Sequence, residues 1–590
     1  MKPTIEMLKQ ELSNPYLVQS FSGVRSSFGS GPDISDAHSS LATAYGFSYA
    51  QRTLEGIRET TLLLGRDPRP TGNAIAIALG QGFIAGAASV NCRVVVLDLG
   101  IITTPLLQTA IRSLSAAGGA MITASHNPLT DNGFKFLTGH SDATASRESA
   151  PAGALLAANA MAKVVNYVAN IAEGNSSAFK TALNELTDEA FRRSFCKGEE
   201  LPQRIKAERA YLDEVASEWG IQPHCLKPLV LGPVLLDPNG GAACGINARV
   251  LEHFGVRALE VNAELGYPEH SIDTDGIDPA SGKHMLLRVA RAALRMDARF
   301  GVAFDYDADR GNLVLPGMDE SAIIRPQTIA AANIGLALSH REIAGRRSDK
   351  LAVVLSDSTS SVSLKVAKLF GAETFIVETG EVNVVTKMHQ LRQAGYDVPI
   401  GVEGANGGTI FGNSTCRDGL QTALCAALAD EQPALAKQWQ KVLCRNGLPS
   451  KKREALRLPE ILAAIPDYYN KAFRLQGPAI PHGELKARME EHFVRVLWPK
   501  ISRRFKSYRF ANYEGTSLAE ARTGDETGGW RLVLEAGGDE DFIFARGSRT
   551  EAGVWRIIVD SSDADRAEAL AQTGLALFDA ATDGRGVVQS

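Results

Sequence analysis

Short apolar runs recur along the chain, and each ends in a polar, glycine-rich stretch: TLLLGRD from Thr61, RVVVLDLG from Arg93, GAMITASHN from Gly119, PVLLDPNGG from Pro233 and GVAFDYDADR from Gly301. An unbroken apolar run of this length, bounded by turn residues, reads as a parallel strand covered on both faces. Ala- and Leu-rich stretches of helical length separate the runs, such as NAIAIALGQGFIAGAAS from Asn73. That alternation predicts βαβ units and an α/β fold. Ligands of open parallel sheets collect at the carboxyl ends of the strands, which is where the polar motifs of this chain sit.

Further along, LAVVLSDS from Leu351, FIVETGE from Phe375 and PIGVEGANGG from Pro399 repeat the pattern. It then changes to a helical region and to the closely spaced strands WRLVLEA, DFIFARGS and VWRIIVDS, which read as a separate α+β domain. The Ala-rich stretch from Ser141 to Leu201 is interrupted at SAPAGA and EGNSS, carries no chemical motif, and reads as helical packing or an insertion. A chain of 590 residues exceeds the roughly 250 residues at which a single core stops growing. The expectation is three mixed α/β domains with parallel-rich sheets (1–205, 206–320, 321–470) and a C-terminal α+β domain (471–590).

Composition narrows the function classes. A net charge of −5, with no dense run of Lys or Arg, argues against nucleic acid as a partner. The N-terminal MKPTIEMLKQELSN carries charges throughout and no run of eighteen apolar residues occurs, so neither a signal peptide nor a membrane span is expected. Seven cysteines stand singly without a C-x-x-C pair, which fits reduced thiols in the cytoplasm and leaves any metal to oxygen ligands.

Three motifs carry chemistry. The run GAMITA delivers Thr123-Ala124-Ser125-His126-Asn127-Pro128 into a loop, followed by Asn132-Gly133-Phe134-Lys135. A lone serine at such a place often only caps a helix. Here Lys135 supplies a charge or a proton nearby, and Gly133 permits close backbone approach to a phosphate. The second motif, Asp305-Tyr306-Asp307-Ala308-Asp309-Arg310, sets three carboxylates at alternate positions after an apolar strand and suits Mg²⁺. An EF-hand is excluded, because its sixth position is Arg310 and its twelfth is Pro316; the bland alternative is a solvated acidic turn. The third motif, Arg546-Gly547-Ser548-Arg549-Thr550-Glu551, gathers guanidinium groups and hydroxyls suited to holding a phosphate without transforming it.

These motifs, in this order, resemble the phosphoglucomutase and phosphomannomutase superfamily. Ser22-Gly23-Val24-Arg25 resembles its S-G-x-R, Gly65-Arg66-Asp67 its G-R-D-x-R, Asp98-Leu99-Gly100 its strand-end D-x-G, Asp237-Pro238-Asn239-Gly240 its second-domain strand end, and LPEILAAIPDYY its lead into the last domain. The resemblance implies four domains around a central cleft and a cytoplasmic phosphohexomutase, monomeric or homodimeric. It would interconvert hexose 1- and 6-phosphates of glucose or mannose through a phosphoserine and a hexose 1,6-bisphosphate. By the same resemblance Ser125 is the phosphorylated serine and an added metal ligand, and Asp305, Asp307 and Asp309 hold Mg²⁺. Lys135, Arg310 and Arg25 are active-site cations, and Arg546, Ser548, Arg549 and Thr550 hold the phosphate that is not being transferred.

The chain departs from the family at the sugar-reading loop. Where relatives carry G-E-x-S-G-H, this chain has Gly401-Val402-Glu403-Gly404-Ala405-Asn406-Gly407-Gly408, so Glu403, Ala405 and Asn406 become the candidate sugar contacts. With the loop histidine gone, Lys135 is the first choice for general acid or base and His126 the second. Arg549 and Ala552 stand where the family usually shows Gly and Pro. Glucosamine and pentose phosphates are alternative substrates, and two other readings remain: a non-catalytic sugar-phosphate-binding relative, and a hydrolase with Asp305 as nucleophile in the manner of the haloacid dehalogenase phosphatases.

Overall fold

The apolar runs become strands of four sheets, all of them inner strands except the run from Phe375, which forms the edge strand Glu373–Val377. The structure, a computed structural model, describes residues 4–140, 150–198, 202–226, 232–272, 276–278, 281–346, 348–404, 406–446, 457–519, 522–524, 526–548 and 553–589. The chain divides into two compact units, Met1–Ile324 with Asn413–Ala427, and Arg325–Gly412 with Leu428–Ser590.

The first unit is built on a seven-stranded sheet in the order Val18–Ser20, Gly23–Ser27, Asp131–Thr138, Gly118–Ile122, Glu59–Arg66, Arg93–Ile101, Phe195–Lys197. The last four strands are parallel and the first three pair antiparallel. The helices Asp36–Thr53 and Gly72–Ser89 lie so close together that a Cβ on Gly82 would stand 2.3 Å from the Thr43 carbonyl oxygen. Gly46 and Gly86 make the same approach from the other helix turns. Gly82→Ala is expected to overpack this contact and lower stability by about 1–3 kcal/mol. A denaturant midpoint equal to the parent's would show that the helices separate at no cost.

The Ala-rich stretch is the packing element that its composition suggests. Helices Ala158–Ala172 and Ser177–Glu185 send Val164, Val168, Ile171 and Phe179 into the same core as Phe47 and Leu62, and Phe191 of helix Asp188–Ser194 packs against it partly buried. Phe179 meets Phe47 edge to face at 5.2 Å, and the stretch ends in the strand Phe195–Lys197, which extends the sheet alongside Arg93–Ile101. Residues 141–149 and 199–201 of this stretch lie outside the described residues. A second sheet of the unit runs Gly311–Val314, Gly301–Phe304, Val234–Asp237, Ala258–Glu260, the last three parallel.

In the second unit a four-stranded sheet orders Glu373–Val377, Leu351–Ser356, Asp397–Glu403 and Gly408–Phe411, the first three parallel. A seven-stranded antiparallel sheet follows, with the central strands Gly529–Ala536, Asp539–Gly547 and Val554–Ser561. Its strand Tyr469–Gln476 spans the expected boundary at 470 and pairs with Val554–Ser561; the expected boundary at 205 falls inside the helix Pro202–Trp219. Among the described residues no helix is long and apolar enough to cross a membrane. All seven cysteines carry free thiols.

Candidate active site

Two strand ends of the first unit bring the chemistry together. Strand Gly118–Ile122 runs into Thr123-Ala124-Ser125, and strand Gly301–Phe304 runs into the aspartate loop. Ser125 caps no helix; it stands in a loop between two antiparallel strands, 3% exposed, with φ +52°. A non-glycine residue in that region costs about 1–2 kcal/mol and persists only where its surroundings hold it.

What holds it is Arg69. Its guanidinium donates to the carbonyl oxygens of Ser125 (2.7 Å), Asn127 (2.8 Å) and Asp131 (2.7 Å), and also to that of Pro128. Asp67 fixes Arg69 through Nε at 3.1 Å and accepts from the Thr123 hydroxyl at 2.6 Å; that hydroxyl in turn accepts the Ser125 amide at 2.8 Å. Burial pushes the Asp67 carboxyl up, against the opposing pull of Arg69 and Thr123.

The Ser125 hydroxyl donates to Asp305 Oδ2 at 2.7 Å, and His126 Nδ1 lies 3.5 Å from the same hydroxyl. Asp305, Asp307 and Asp309 are at most 1% exposed, which rules out a solvated acidic turn. One oxygen from each lies within 4.8 Å of the others. Asp307 Oδ2 accepts from Lys135 Nζ at 3.1 Å and from the Thr104 hydroxyl at 2.9 Å. Asp309 Oδ2 accepts from Arg417 at 2.6 Å, with Lys135 Nζ at 3.7 Å. Arg310 places Nε 3.8 Å from Asp305 and 3.7 Å from Asp309. The Oδ1 atoms of Asp307 and Asp309 are buried without a hydrogen-bond partner among the described residues. Three hard oxygen donors, two with an oxygen that accepts no hydrogen bond among the described residues, fit a divalent cation such as Mg²⁺.

Electrostatics separates the three carboxylates. Burial and the neighbouring Asp309 and Asp307 push Asp305 well up, more than Arg310 offsets. Burial acts on Asp309 in the same sense, but Arg417, Lys135 and Arg310 outweigh it and hold that carboxyl well below the usual range. For Lys135 burial opposes the charge, yet Asp307 and Asp309 raise its affinity for the proton above that of a free lysine. Lys135 is thereby kept as a cation. Arg25 sits opposite Gly133 across the strand pair, its Nε buried without a hydrogen-bond partner among the described residues. Burial is the main influence lowering its affinity for a proton. Gly133 serves that pairing: a Cβ there would stand 2.1 Å from the Val24 carbonyl oxygen, so the glycine admits the Arg25 strand.

The remaining predicted residues belong to the second unit. Glu403 ends strand Asp397–Glu403 and is buried. The turn after it is held by Gly404, whose amide donates to the Ser356 hydroxyl at 2.9 Å and whose carbonyl accepts from Gln327 at 3.1 Å. Asn406 is half-buried, and Ala405 lies outside the described residues. Arg546 is engaged by a carboxylate, Glu378 at 3.0 Å, and donates to the Thr379 carbonyl at 3.0 Å. The Ser548 amide donates to Val554 at 2.7 Å, while Arg549, Thr550 and Ala552 lie outside the described residues. Sequence reasoning assigns no role to Arg69, Thr104 or Arg417. Arg69 closes the stretch that begins Gly65-Arg66-Asp67, so a signal is present; Arg417, 108 residues from Asp309, leaves none.

Known proteins resemble this chain in sequence and in fold. Residues 19–150 match the family model "Phosphoglucomutase/phosphomannomutase, alpha/beta/alpha domain I", and residues 332–442 match domain III of the same family. A phosphoglucosamine mutase of Natranaerobius thermophilus is 26% identical over 365 residues, 62% of this chain and 69% of its own length. One from a Synechococcus strain is 31% identical over 255 residues, 43% of this chain and 44% of its own length, so the match spans less than half of that relative. A phosphoglucomutase/phosphomannomutase family protein of Burkholderia thailandensis shares the fold, with a TM-score of 0.63 at 17% identity over 98% of this chain and 99% of its own. The chain thus carries two domains of the phosphoglucomutase/phosphomannomutase family in their order, domain I over residues 19–150 and domain III over residues 332–442, and its serine and aspartate motifs are buried together.

Proposed function

We propose that this enzyme moves a phosphoryl group between the 1- and 6-hydroxyls of a hexose phosphate, with Ser125 as carrier. The observation that carries the reading is the Ser125 hydroxyl 2.7 Å from Asp305, inside a buried triad of carboxylates flanked by Lys135, Arg310, Arg25 and Arg417. Phosphoryl transfer needs little covalent help from a protein; it needs positioning and neutralisation of the charge on the phosphoryl oxygens. The left-handed turn at Ser125, clamped by Arg69, supplies the positioning. The four cations supply charge beyond what the three aspartates consume.

Asp305, Asp307 and Asp309 would hold Mg²⁺, which neutralises phosphoryl charge. Lys135, kept protonated, acts as a cation and proton holder, and His126, next to the Ser125 hydroxyl, is the candidate for exchanging the proton at the serine. On this reading the phosphoserine passes its phosphoryl group to the free sugar hydroxyl, giving a hexose 1,6-bisphosphate. The bisphosphate turns over, and Ser125 recovers the group from the other end. Arg546 and Ser548, together with Arg549 and Thr550, are the proposed holders of the phosphate at rest. Glu403, Asn406 and Ala405 are the proposed sugar contacts. The names of the curated relatives favour glucosamine phosphate as the first sugar to test, with glucose and mannose phosphates beside it.

The test is isomerisation of glucosamine, glucose and mannose 1-phosphates with Mg²⁺ and a trace of the matching bisphosphate. Conversion of one or more is expected, with chelation of the metal lowering the rate at least about 10²-fold and Mg²⁺ restoring it. If all three sugars and pentose phosphates fail, and Ser125 carries no phosphate by mass spectrometry, the mutase reading gives way to a binding protein. Release of inorganic phosphate that survives Ser125→Ala would point to Asp305 as a hydrolytic nucleophile.

A further inference from the structure

The aspartate triad is braced from a distant part of the chain. Residues 413–427 belong to the first unit, although the chain on either side belongs to the second. Within this segment Arg417 donates to Asp309 Oδ2 at 2.6 Å, while Asp309 Oδ1, 3.7 Å from Arg310 Nε, accepts no hydrogen bond among the described residues. A carboxylate held through one oxygen presents the other in a fixed direction.

Arg417 is anchored on both sides. The next residue, Asp418, is 1% exposed; its Oδ2 accepts from the Tyr211 hydroxyl at 2.8 Å and from Gln421 Nε2 at 2.9 Å, and its Oδ1 accepts from the Gln421 amide at 3.0 Å. Two residues before Arg417, the Thr415 hydroxyl donates to Gln108 at 2.8 Å. Gln108 lies on helix Thr104–Ser113, whose first residue, Thr104, holds Asp307. Gly419 closes the brace, since a Cβ there would stand 2.4 Å from the Arg310 carbonyl oxygen. One helix therefore sets Asp307 directly and helps to set Asp309 through the Arg417 segment.

We propose that Arg417 is a positioning residue for Asp309, set in place by the buried Tyr211–Asp418 hydrogen bond, and that this chain aims Asp309 Oδ1 at a divalent cation. The inference rests on the reading of the triad as a metal site. Residues that hydrogen-bond to a ligand without touching the metal orient that ligand, and their loss typically weakens metal binding about 10–100-fold.

The experiment is titration of the purified full-length protein with Mn²⁺, followed by electron paramagnetic resonance, for wild type, Arg417→Gln, Arg417→Lys and Tyr211→Phe. Arg417→Gln should bind Mn²⁺ about 10–100-fold more weakly. Arg417→Lys should recover part of that loss, because an ammonium at the same place still holds one oxygen. Tyr211→Phe keeps every charge and tests the chain even if Arg417→Gln fails to fold; a several-fold weakening is expected. Wild-type affinity in Tyr211→Phe overturns the bracing by Tyr211 and Asp418, and wild-type affinity in a folded Arg417→Gln overturns the positioning role of Arg417; either leaves the triad intact as a metal site. Failure of the wild-type protein to bind Mn²⁺ overturns the metal reading and this inference with it.

Discussion

Ser125→Ala is expected to abolish sugar-phosphate isomerisation, lowering kcat/KM by a factor on the order of 10⁴ or more, as removal of a covalent nucleophile does in other enzymes. The change deletes the hydroxyl proposed to carry the phosphoryl group, yet it leaves the loop where it is. Arg69 grips backbone carbonyl oxygens, and the Ser125 amide keeps its bond to Thr123, so alanine meets the same clamp. Asp305 Oδ2 loses its hydroxyl donor at 2.7 Å but keeps the Arg310 guanidinium, with Nε 3.8 Å away. The variant should thus melt within a few degrees of the parent while losing both turnover and the phosphate on the protein. Two measurements decide it: a coupled assay of 6-phosphate formation, and the intact mass before and after incubation with the bisphosphate. Turnover within tenfold of the parent would remove Ser125 from the reaction.

The second large effect belongs to a residue that touches no reacting atom. Arg69→Met is expected to destabilise the first unit by about 3–5 kcal/mol, the range for breaking a buried ion pair and leaving one charge behind. Both side chains of the Asp67–Arg69 pair are wholly buried, and the guanidinium also satisfies four carbonyl oxygens around the serine loop. Methionine fills much of the volume but answers none of those acceptors, and Asp67 is left without its cation. The loop loses the clamp that holds Ser125 at φ +52°, so turnover should fall even at temperatures where the variant is folded. Adding Asp67→Asn to Arg69→Met should recover part of the stability by removing the orphaned charge, and little of the activity. Denaturant unfolding of the two single variants and the double variant measures the coupling. Additive losses would mean that the pair contributes nothing beyond its separate packing.

Much of the site is legible in the amino-acid sequence, because strand-end chemistry is written locally. The run GAMITA followed by Ser125, and GVAF followed by three alternating aspartates, place their polar residues at strand ends by period alone, and the fold has both strands at those positions. The same holds for the antiparallel tail, where WRLVLEA, DFIFARGS and VWRIIVDS pair as neighbours. The Ala-rich stretch is legible as helix but not in its position: nothing in its composition shows that Phe179 meets Phe47 or that Phe195–Lys197 joins the sheet. Gly133 is legible as a point of close approach, but the approaching backbone is the Arg25 strand.

By itself, then, the sequence determined which segments are strands and which strand ends bear a serine, three carboxylates and cations. Period and turn composition are short-range properties, set by side chains a few residues apart. Tertiary structure alone decided the partners: Thr104 on Asp307, Arg417 reaching Asp309 across 108 residues, Arg69 gathering four carbonyl oxygens, and Arg546 engaged by Glu378. Those contacts follow from sheet order and from which helix covers which strand end. A buried charge must find its counter-charge wherever the fold brings one near, and no spacing along the chain encodes that distance.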